Sequence, residues 1–163
     1  MEQALGFRQR LLDAQQCSFS AIVTADYGDK LYTFTLDCQG DKQGNLTFEV
    51  VQPQSISGIT GTITEESGQL TFDDKALAFA TLADGQIVPV CAPWILLRSL
   101  RSGYLSACGK YGDGIEIIVD DSYQEDALQL NIQMNGALEP VSADILWQGR
   151  RMLSLIVSNF SIM

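Results

Sequence analysis

Apolar and polar residues alternate with a period of two along most of this chain, and no other feature restricts its fold as strongly. Such alternation is typical of β-strands that bury one face and expose the other. One run has an apolar residue at every second position: Leu128, Leu130, Ile132 and Met134. Short turns such as "DYGD" and "GKYGDG" separate about eleven runs of this kind. We therefore predict an α+β, mainly β fold, with one antiparallel sheet of about eleven strands in a single domain of residues 1–163.

Two stretches of the chain depart from this alternation and have helical spacing. In residues 2–15 the apolar residues recur at intervals of three and four and form one stripe: Ala4, Phe7, Leu11 and Ala14. The second stretch, "PWILLRSLRSG", begins with Pro93, which is tolerated in the first turn of a helix. It ends at Gly103, which can adopt the left-handed cap conformation. We predict an N-terminal helix and a central helix from these two stretches.

The central helix is amphipathic. Its apolar side is formed by Trp94, Leu96, Leu97 and Leu100, and its opposite side carries Arg98 and Arg101. A sheet of this length curls because its strands twist, and its concave face then needs an apolar cover. We expect both helices to lie on the concave face of a strongly curved sheet, a half-barrel, with the central helix as a lid. The two arginines should reach the rim or solvent, since a buried unpaired charge is costly.

The charge and the residue types present exclude several classes of function. Twenty acidic and ten basic residues give a net charge of −10, which would repel nucleic acid. The chain contains no histidine, which excludes Ser-His and Cys-His nucleophiles and zinc sites that use histidine. We therefore predict a protein that is not an enzyme and has no cofactor, no metal and no nucleic-acid partner.

The sequence also contains no segment expected to cross or enter a membrane. No apolar run approaches the roughly 18 residues that a membrane-spanning helix needs. The first 16 residues lack the uninterrupted apolar region of a signal peptide, so the chain as given is expected to be soluble. If the protein is exported, its signal peptide and any lipid-attachment cysteine precede this sequence. Met1 could equally be the natural start.

The four cysteines, Cys17, Cys38, Cys91 and Cys108, have no CxxC spacing of a redox or zinc motif. An even number of such cysteines indicates either two structural disulfides in an oxidising compartment or four buried thiols. If "DYGD" is a four-residue loop, Cys17 lies directly opposite Cys38 on the next strand, within reach of a disulfide. Cys91 and Cys108 flank the central helix and form the second candidate pair.

An acidic loop and two tryptophans are further candidates for a site. The loop "VDDSYQEDA" could offer oxygen ligands to calcium, but it lacks the EF-hand spacing, and a solvated turn is favoured. Trp94 and Trp147 could line a lipid cavity or pack in the core.

The order of these elements resembles that of a known family. The stretches "GNLTFEVVQPQSISGITGTITEESGQLTFDDKALAF" and "LEPVSADILWQGRRMLSLIVSNFSI" are similar to the succession of strands in the periplasmic lipoprotein carriers of the Lol system and in other bacterial lipoproteins with this LolA-like half-barrel. The resemblance spans most of the chain and is closer to the anchored lipoproteins of Gram-positive bacteria than to the true carriers. In the carriers a buried arginine and an apolar cavity hold acyl chains. The candidate arginines of this chain, Arg98 and Arg101, lie on the central helix rather than on a strand.

Two hypotheses for the function follow. The resemblance implies an extracytoplasmic, lipid-anchored lipoprotein domain that binds a lipid, an acyl chain or a protein partner in or on its half-barrel. The residues that would line its cavity are Trp94, Leu96, Leu97, Leu100 and Trp147. In that case the lid must move, and the loops around Gly85 and Gly103 are the expected hinges. The alternative is a scaffold whose helices fill the barrel and whose surface binds a partner.

Overall fold

The computed structural model describes residues 1–163 except 27, 29–30, 66–67, 73–74, 80–81, 84–85, 88 and 122–126. For strand residues 70–72, 75–79, 82–83 and 86–87 it describes the backbone alone. The helices are α1 (Glu2–Asp13) and α2 (Ala92–Ser102). The strands are β1 (Gln16–Asp26), β2 (Leu31–Asp41), β3 (Leu46–Gln52), β4 (Thr60–Ile63), β5 (Gly68–Phe72), β6 (Lys75–Phe79), β7 (Leu82–Ala83), β8 (Gln86–Ile87), β9 (Tyr104–Tyr111), β10 (Gly114–Asp120), β11 (Leu128–Met134), β12 (Pro140–Trp147) and β13 (Arg150–Ile162).

The strands of the described residues form one long open sheet and one small hairpin. The sheet has eleven strands in the order β6-β5-β4-β3-β2-β1-β13-β12-β11-β10-β9, and β7 pairs with β8 separately. The strand pairs are antiparallel. The predicted antiparallel sheet of about eleven strands is therefore confirmed, as is the curved half-barrel with two helices.

The strand order explains why a helix interrupts the β pattern. The chain starts at the centre of the sheet with β1 and builds outward to one edge, β6. It resumes at the opposite edge, β9, and builds inward until β13 pairs with β1. The segment between the two edges contains α2, which carries the chain from one half of the sheet to the other.

Both helices bury their apolar sides in one core with the inner face of the sheet. On α1 the predicted stripe is confirmed at Ala4, Phe7 and Leu11, each at most 3% exposed. The helix ends at Asp13 rather than at residue 15, and Ala14 is half-buried in an extended conformation. Pro93 lies in the first turn of α2, as predicted.

The predicted glycine cap of α2 is wrong in its conformation. Gly103 follows the helix with a φ of −68° and a ψ of 161°, which is extended backbone rather than left-handed. A side chain is nevertheless excluded there, because a Cβ atom on Gly103 would collide with Cγ1 of Val119. Glycine at this position allows the end of the helix to approach β10 closely. The other predicted hinge, Gly85, lies outside the described residues.

Strand β12 departs from the predicted alternation at its first residues. The first buried residue of β12 is Pro140, whereas Val141, which alternation would place on the same face as Ala143 and Ile145, is only half-buried. A β-bulge causes the change: Gln133 of β11 pairs with Ser142, while the next residue, Met134, pairs with Pro140. Val141 is the extra residue of the bulge, and the alternation resumes at Ala143 and Ile145.

The predicted disulfide between Cys17 and Cys38 is wrong, because the hairpin turn lies one residue later than expected. Asp26 pairs with Leu31, so Cys17 faces Gly40 and Cys38 faces Phe19. Cys17 and Cys38 are therefore diagonal neighbours, a relation in which the strand positions are about 7–8 Å apart. A disulfide needs Cβ atoms about 3.5–4.5 Å apart. Both cysteines are buried thiols.

The second predicted disulfide is also wrong. Cys91 is fully buried at the N-terminal end of α2, and Cys108 is half-buried on β9, opposite Ile117. Positions that flank a helix in the sequence need not be close in space, and here both side chains remain thiols. Burial raises the pKa of the Cys17 and Cys38 thiols, which favours the protonated, less reactive form of both.

This arrangement predicts the pattern of thiol reactivity. In the native protein a chromogenic disulfide reagent at pH 8 should modify Cys108 quickly, because it is the cysteine with the greatest exposure. The other three should react only as fast as the protein unfolds. All four should react at once in guanidinium. The variant Cys108→Ser should lose the fast phase, and fewer than four reactive thiols after denaturation without reductant would contradict the account.

Candidate functional site

The site that the sequence indicates is the contact between α2 and the inner face of the sheet. The four predicted cavity residues on the helix are each at most 2% exposed: Trp94, Leu96, Leu97 and Leu100. The strand residues of the inner face are equally inaccessible, and Leu36, Leu46, Leu130 and Ile145 are 0% exposed. The predicted burial of the leucines is confirmed, and solvent does not reach this contact.

The sheet has a specific recess for the lid. Gly40 of β2 is buried beneath Leu97, and a Cβ atom at this glycine would lie 2.5 Å from Cδ2 of Leu97 and 3.0 Å from Sγ of Cys17. Leu97 therefore contacts the backbone of β2 directly. Since neighbouring positions carry larger side chains, the missing side chain of Gly40 creates the space that the leucine fills.

The polar side of α2 lies at the rim, as predicted. The guanidinium of Arg98 stacks 5.3 Å from the ring centroid of Trp94, and its Nε lies 3.4 Å from Oε1 of Glu65. Both partners of this ion pair are exposed, so it contributes at most about 1 kcal/mol. Arg101 donates a hydrogen bond from Nη2 to the carbonyl of Lys42 at 2.8 Å. These contacts fix the helix to the β2–β3 turn and to the segment that follows β4.

A third arginine, which the sequence reasoning did not select, connects the two helices. Arg8 of α1 donates from Nε to the carbonyl of Leu100 at 2.8 Å and from Nη2 to the carbonyl of Ser99 at 3.0 Å. These carbonyls lie in the last turn of α2, where the helix dipole is negative. Burial lowers the pKa of Arg8. The sequence did carry a sign of this role: Arg8 follows Ala4 by four residues and precedes Leu11 by three. That spacing places it beside the buried stripe of α1.

Helix α2 carries one buried hydroxyl group that makes no hydrogen bond with the described residues. Ser99 is 0% exposed, and its Oγ has no hydrogen-bond partner among the described residues. An unsatisfied buried hydroxyl destabilises a fold by about 1–3 kcal/mol.

The remaining predicted site residues do not join this contact. Trp147 is half-buried at the end of β12, opposite Leu128 and Arg150, and is not in the core cluster of the described residues. Most of the acidic loop predicted as a weak calcium candidate, residues 122–126, lies outside the described residues. Within the ranges that the structure describes, no group of three or more acidic or sulfur ligands is placed to hold a metal ion. No helix in those ranges is both long and apolar enough to span a membrane.

Two of the depressions formed by the described residues open onto the protein surface near charged side chains. One, of about 550 Å³, is on the wet face of β1 to β4 and includes Asp37 and Glu49, which are directly paired on the adjacent strands β2 and β3. The other, of about 450 Å³, lies where the first turn of α1 meets the end of α2 and the start of β9. Its walls include Met1, Leu5 and Tyr104.

Comparisons with known proteins identify the fold. No protein-family model matches the chain, and no curated protein does. Among solved structures, the chain is similar to an uncharacterized conserved protein from Thermus thermophilus, with 14% identity, a TM-score of 0.53, and coverage of 99% of this chain and 86% of that one. It is equally similar to a domain of a proposed outer membrane lipoprotein-sorting protein from Vibrio parahaemolyticus, with 8% identity, a TM-score of 0.53, and coverage of 99% and 91%.

A LolA superfamily protein from Nitrosomonas europaea also matches, with 9% identity, a TM-score of 0.48, and coverage of 98% of this chain and 93% of that one. At these identities the comparisons show the fold alone. The chain has the half-barrel of lipoprotein-sorting proteins, as the sequence resemblance indicated.

The recess beneath Leu97 predicts that alanine has different effects on stability at two glycine positions. Gly40→Ala should lower the free energy of unfolding by about 1–3 kcal/mol, because the new methyl group overlaps Leu97. Gly109→Ala, on β9, should change it by about 0.5 kcal/mol or less, since no atom lies within 4 Å of its added Cβ. Urea unfolding of both variants measures the difference. Equal stabilities would show that the lid does not occupy this recess.

The Arg8 contact predicts a second contrast, between two arginines of α1. Arg8→Met should lower the free energy of unfolding by about 1–2 kcal/mol, because two carbonyls of α2 lose charged donors at a half-buried position. Arg10→Met should have a smaller effect, since Arg10 is exposed and only stacks 5.7 Å from the ring centroid of Phe7. Thermal unfolding followed by circular dichroism compares the two variants, and a larger loss for Arg10→Met would contradict the assignment.

Proposed function

We propose that this chain is a non-catalytic, extracytoplasmic binding domain of residues 1–163, and that it binds a protein partner on the outside of a filled half-barrel. One observation carries the proposal: the residues of α2 that would line a lipid cavity are at most 2% exposed and pack directly against the sheet. A preformed lipid site would be a concave space that a ligand can enter. The lid of this protein fills that space with its own side chains.

The energy of lid opening supports this choice. Exposing a buried leucine or isoleucine costs about 1.5–3 kcal/mol. Opening α2 exposes at least Ile95, Leu96, Leu97 and Leu100, which are all at most 3% exposed in the closed state. The sum, about 6–12 kcal/mol, is as large as the whole stability of a typical domain. An open state would therefore be rare unless a ligand replaced most of these contacts.

A second candidate function is the binding of an acyl chain beneath the lid. The fold favours it, because the similar domain from Vibrio parahaemolyticus is described as part of a lipoprotein-sorting protein. In this version, Trp94 and the three leucines release the inner face of the sheet and contact the acyl chain. The packing of Leu97 against Gly40 must then break each time a ligand enters.

The proposal also includes an extracytoplasmic location and a non-enzymatic role. An extracytoplasmic location, with an N-terminal lipid anchor as in Gram-positive lipoproteins of this fold, is supported by the sequence resemblance. The absence of disulfides does not oppose it, because Cys17, Cys38 and Cys91 are buried, where oxidants reach a thiol poorly in any compartment. A non-enzymatic role is supported by the lack of histidine in the chain.

The test is a displacement assay with a fluorescent fatty acid on the wild type and on Leu97→Ala. We expect no stoichiometric binding to either protein. The variant should lose about 2–5 kcal/mol of stability, the usual effect of truncating a fully buried leucine. Leu12→Ala, at an exposed position of α1, is the matched control and should be nearly neutral.

Native mass spectrometry of protein purified from its own host completes the test. The proposed function predicts a mass without bound lipid. A co-purifying lipid, or saturable fatty-acid binding that Leu97→Ala alters, would overturn the proposal in favour of the acyl-chain function.

A further inference from the structure

The edge of the sheet at β9 is an exposed strand. In the part of the chain that the structure describes, β9 pairs only with β10 and forms the end of the eleven-stranded sheet. Most of its residues are exposed: Tyr104, Ser106, Ala107, Gly109, Lys110 and Tyr111. An uncovered edge presents a row of backbone N–H and C=O groups that another strand can pair with.

The depression of about 450 Å³ described above opens at one end of this edge. Its apolar walls come from Met1, Leu5 and Tyr104, which are 50%, 51% and 52% exposed. Leu105 also lines it, together with the carboxylates Asp120 and Asp121 and with Arg8, whose guanidinium donates to the carbonyls at the end of α2. Three half-exposed large apolar side chains around one depression are unusual for a protein surface and typical of a place where an anchor residue binds.

The charge around β9 selects the kind of segment that fits. Residues 104–121 contain one lysine, Lys110, and four carboxylates: Asp113, Glu116, Asp120 and Asp121. The whole chain carries a net charge of −10. A basic segment would be attracted to the hairpin of β9 and β10. An acidic segment, or the same hairpin of a second copy of this protein, would be repelled.

We propose that the β9 edge binds an extended segment of a partner protein, which adds as a further strand, places an apolar residue in the depression beside Leu5 and Tyr104, and carries basic side chains. The proposal rests on the proposed function and assigns it a surface and a partner chemistry. Backbone hydrogen bonds to β9 supply affinity, and the depression supplies specificity.

The experiment uses a synthetic peptide of seven residues in which lysine alternates with leucine and valine. Two control peptides have glutamate in place of every lysine, or proline at the central position. Binding is followed by NMR spectra of the amide groups and by their exchange with deuterium. We expect the lysine peptide alone to shift the amide signals of Tyr104–Tyr111 and to protect about every second amide of β9, because alternate N–H groups of an edge point outward.

Two variants on α1 test the depression. Leu5→Gln should lower the affinity for the lysine peptide about tenfold. This is the loss expected when one apolar contact of about 1.4 kcal/mol is removed. Leu12→Gln makes the same change at an exposed position of the same helix and should leave affinity unchanged. Both residues are exposed, so the variants should fold normally, which their amide spectra check.

Three results would overturn the proposal: equal binding of the glutamate peptide, signal changes away from β9, or protection of β9 that rises with protein concentration in the absence of peptide. The last would identify a second copy as the occupant. The peptide experiment tests only the site at β9. The proposed function is tested separately, because fatty-acid binding beneath the lid would overturn it whatever the peptide does at β9.

Discussion

The packing of α2 into the curved sheet is the interaction on which the rest of this structure depends. Among the described residues the sheet is built as two halves, one from β1 to β6 and one from β9 to β13, and the two halves are joined by the pairing of β1 with β13. An open, twisted sheet of this size exposes a broad apolar concave face unless something covers it. The helix that carries the chain between the two halves supplies that cover. Its eleven residues, about 16 Å long, place Leu96, Leu97 and Leu100 where both halves converge.

Several local features are consequences of this contact. Gly40 and Gly103 lack side chains because the helix approaches β2 at one place and β10 at the other. Arg8 lies at a half-buried position where its guanidinium donates to the carbonyls of Ser99 and Leu100 in the last turn of α2. The polar side of the helix then lies at the rim, where Arg98 and Arg101 reach Glu65 and Lys42. A helix fixed at its sides and along its apolar face is part of the core.

The sequence predicted the parts of this fold that depend on periodicity. Alternation identified the strands, and the spacing of Trp94, Leu96, Leu97 and Leu100 identified a buried helix face. It did not predict features that depend on a shift of one residue. The turn after Asp26 moved the register by one position on each strand, and the disulfide between Cys17 and Cys38 was lost with it. Arg8 was missed because its hydrogen bonds reach residues more than 90 positions away, and the depression near Leu5 was missed because it combines three separate segments.

Native-state hydrogen exchange distinguishes an α2 that is part of the core from an α2 that is a movable lid. Amides in a segment that opens on its own exchange with a lower free energy of opening than the amides of the global core. If α2 is part of the core, the amides of Ile95 to Leu100 have the same free energy of opening as those of the paired central strands β1 and β13, within about 1 kcal/mol. A free energy of opening for α2 several kcal/mol below that of β1 and β13 would contradict it and would show a lid that moves off an intact sheet.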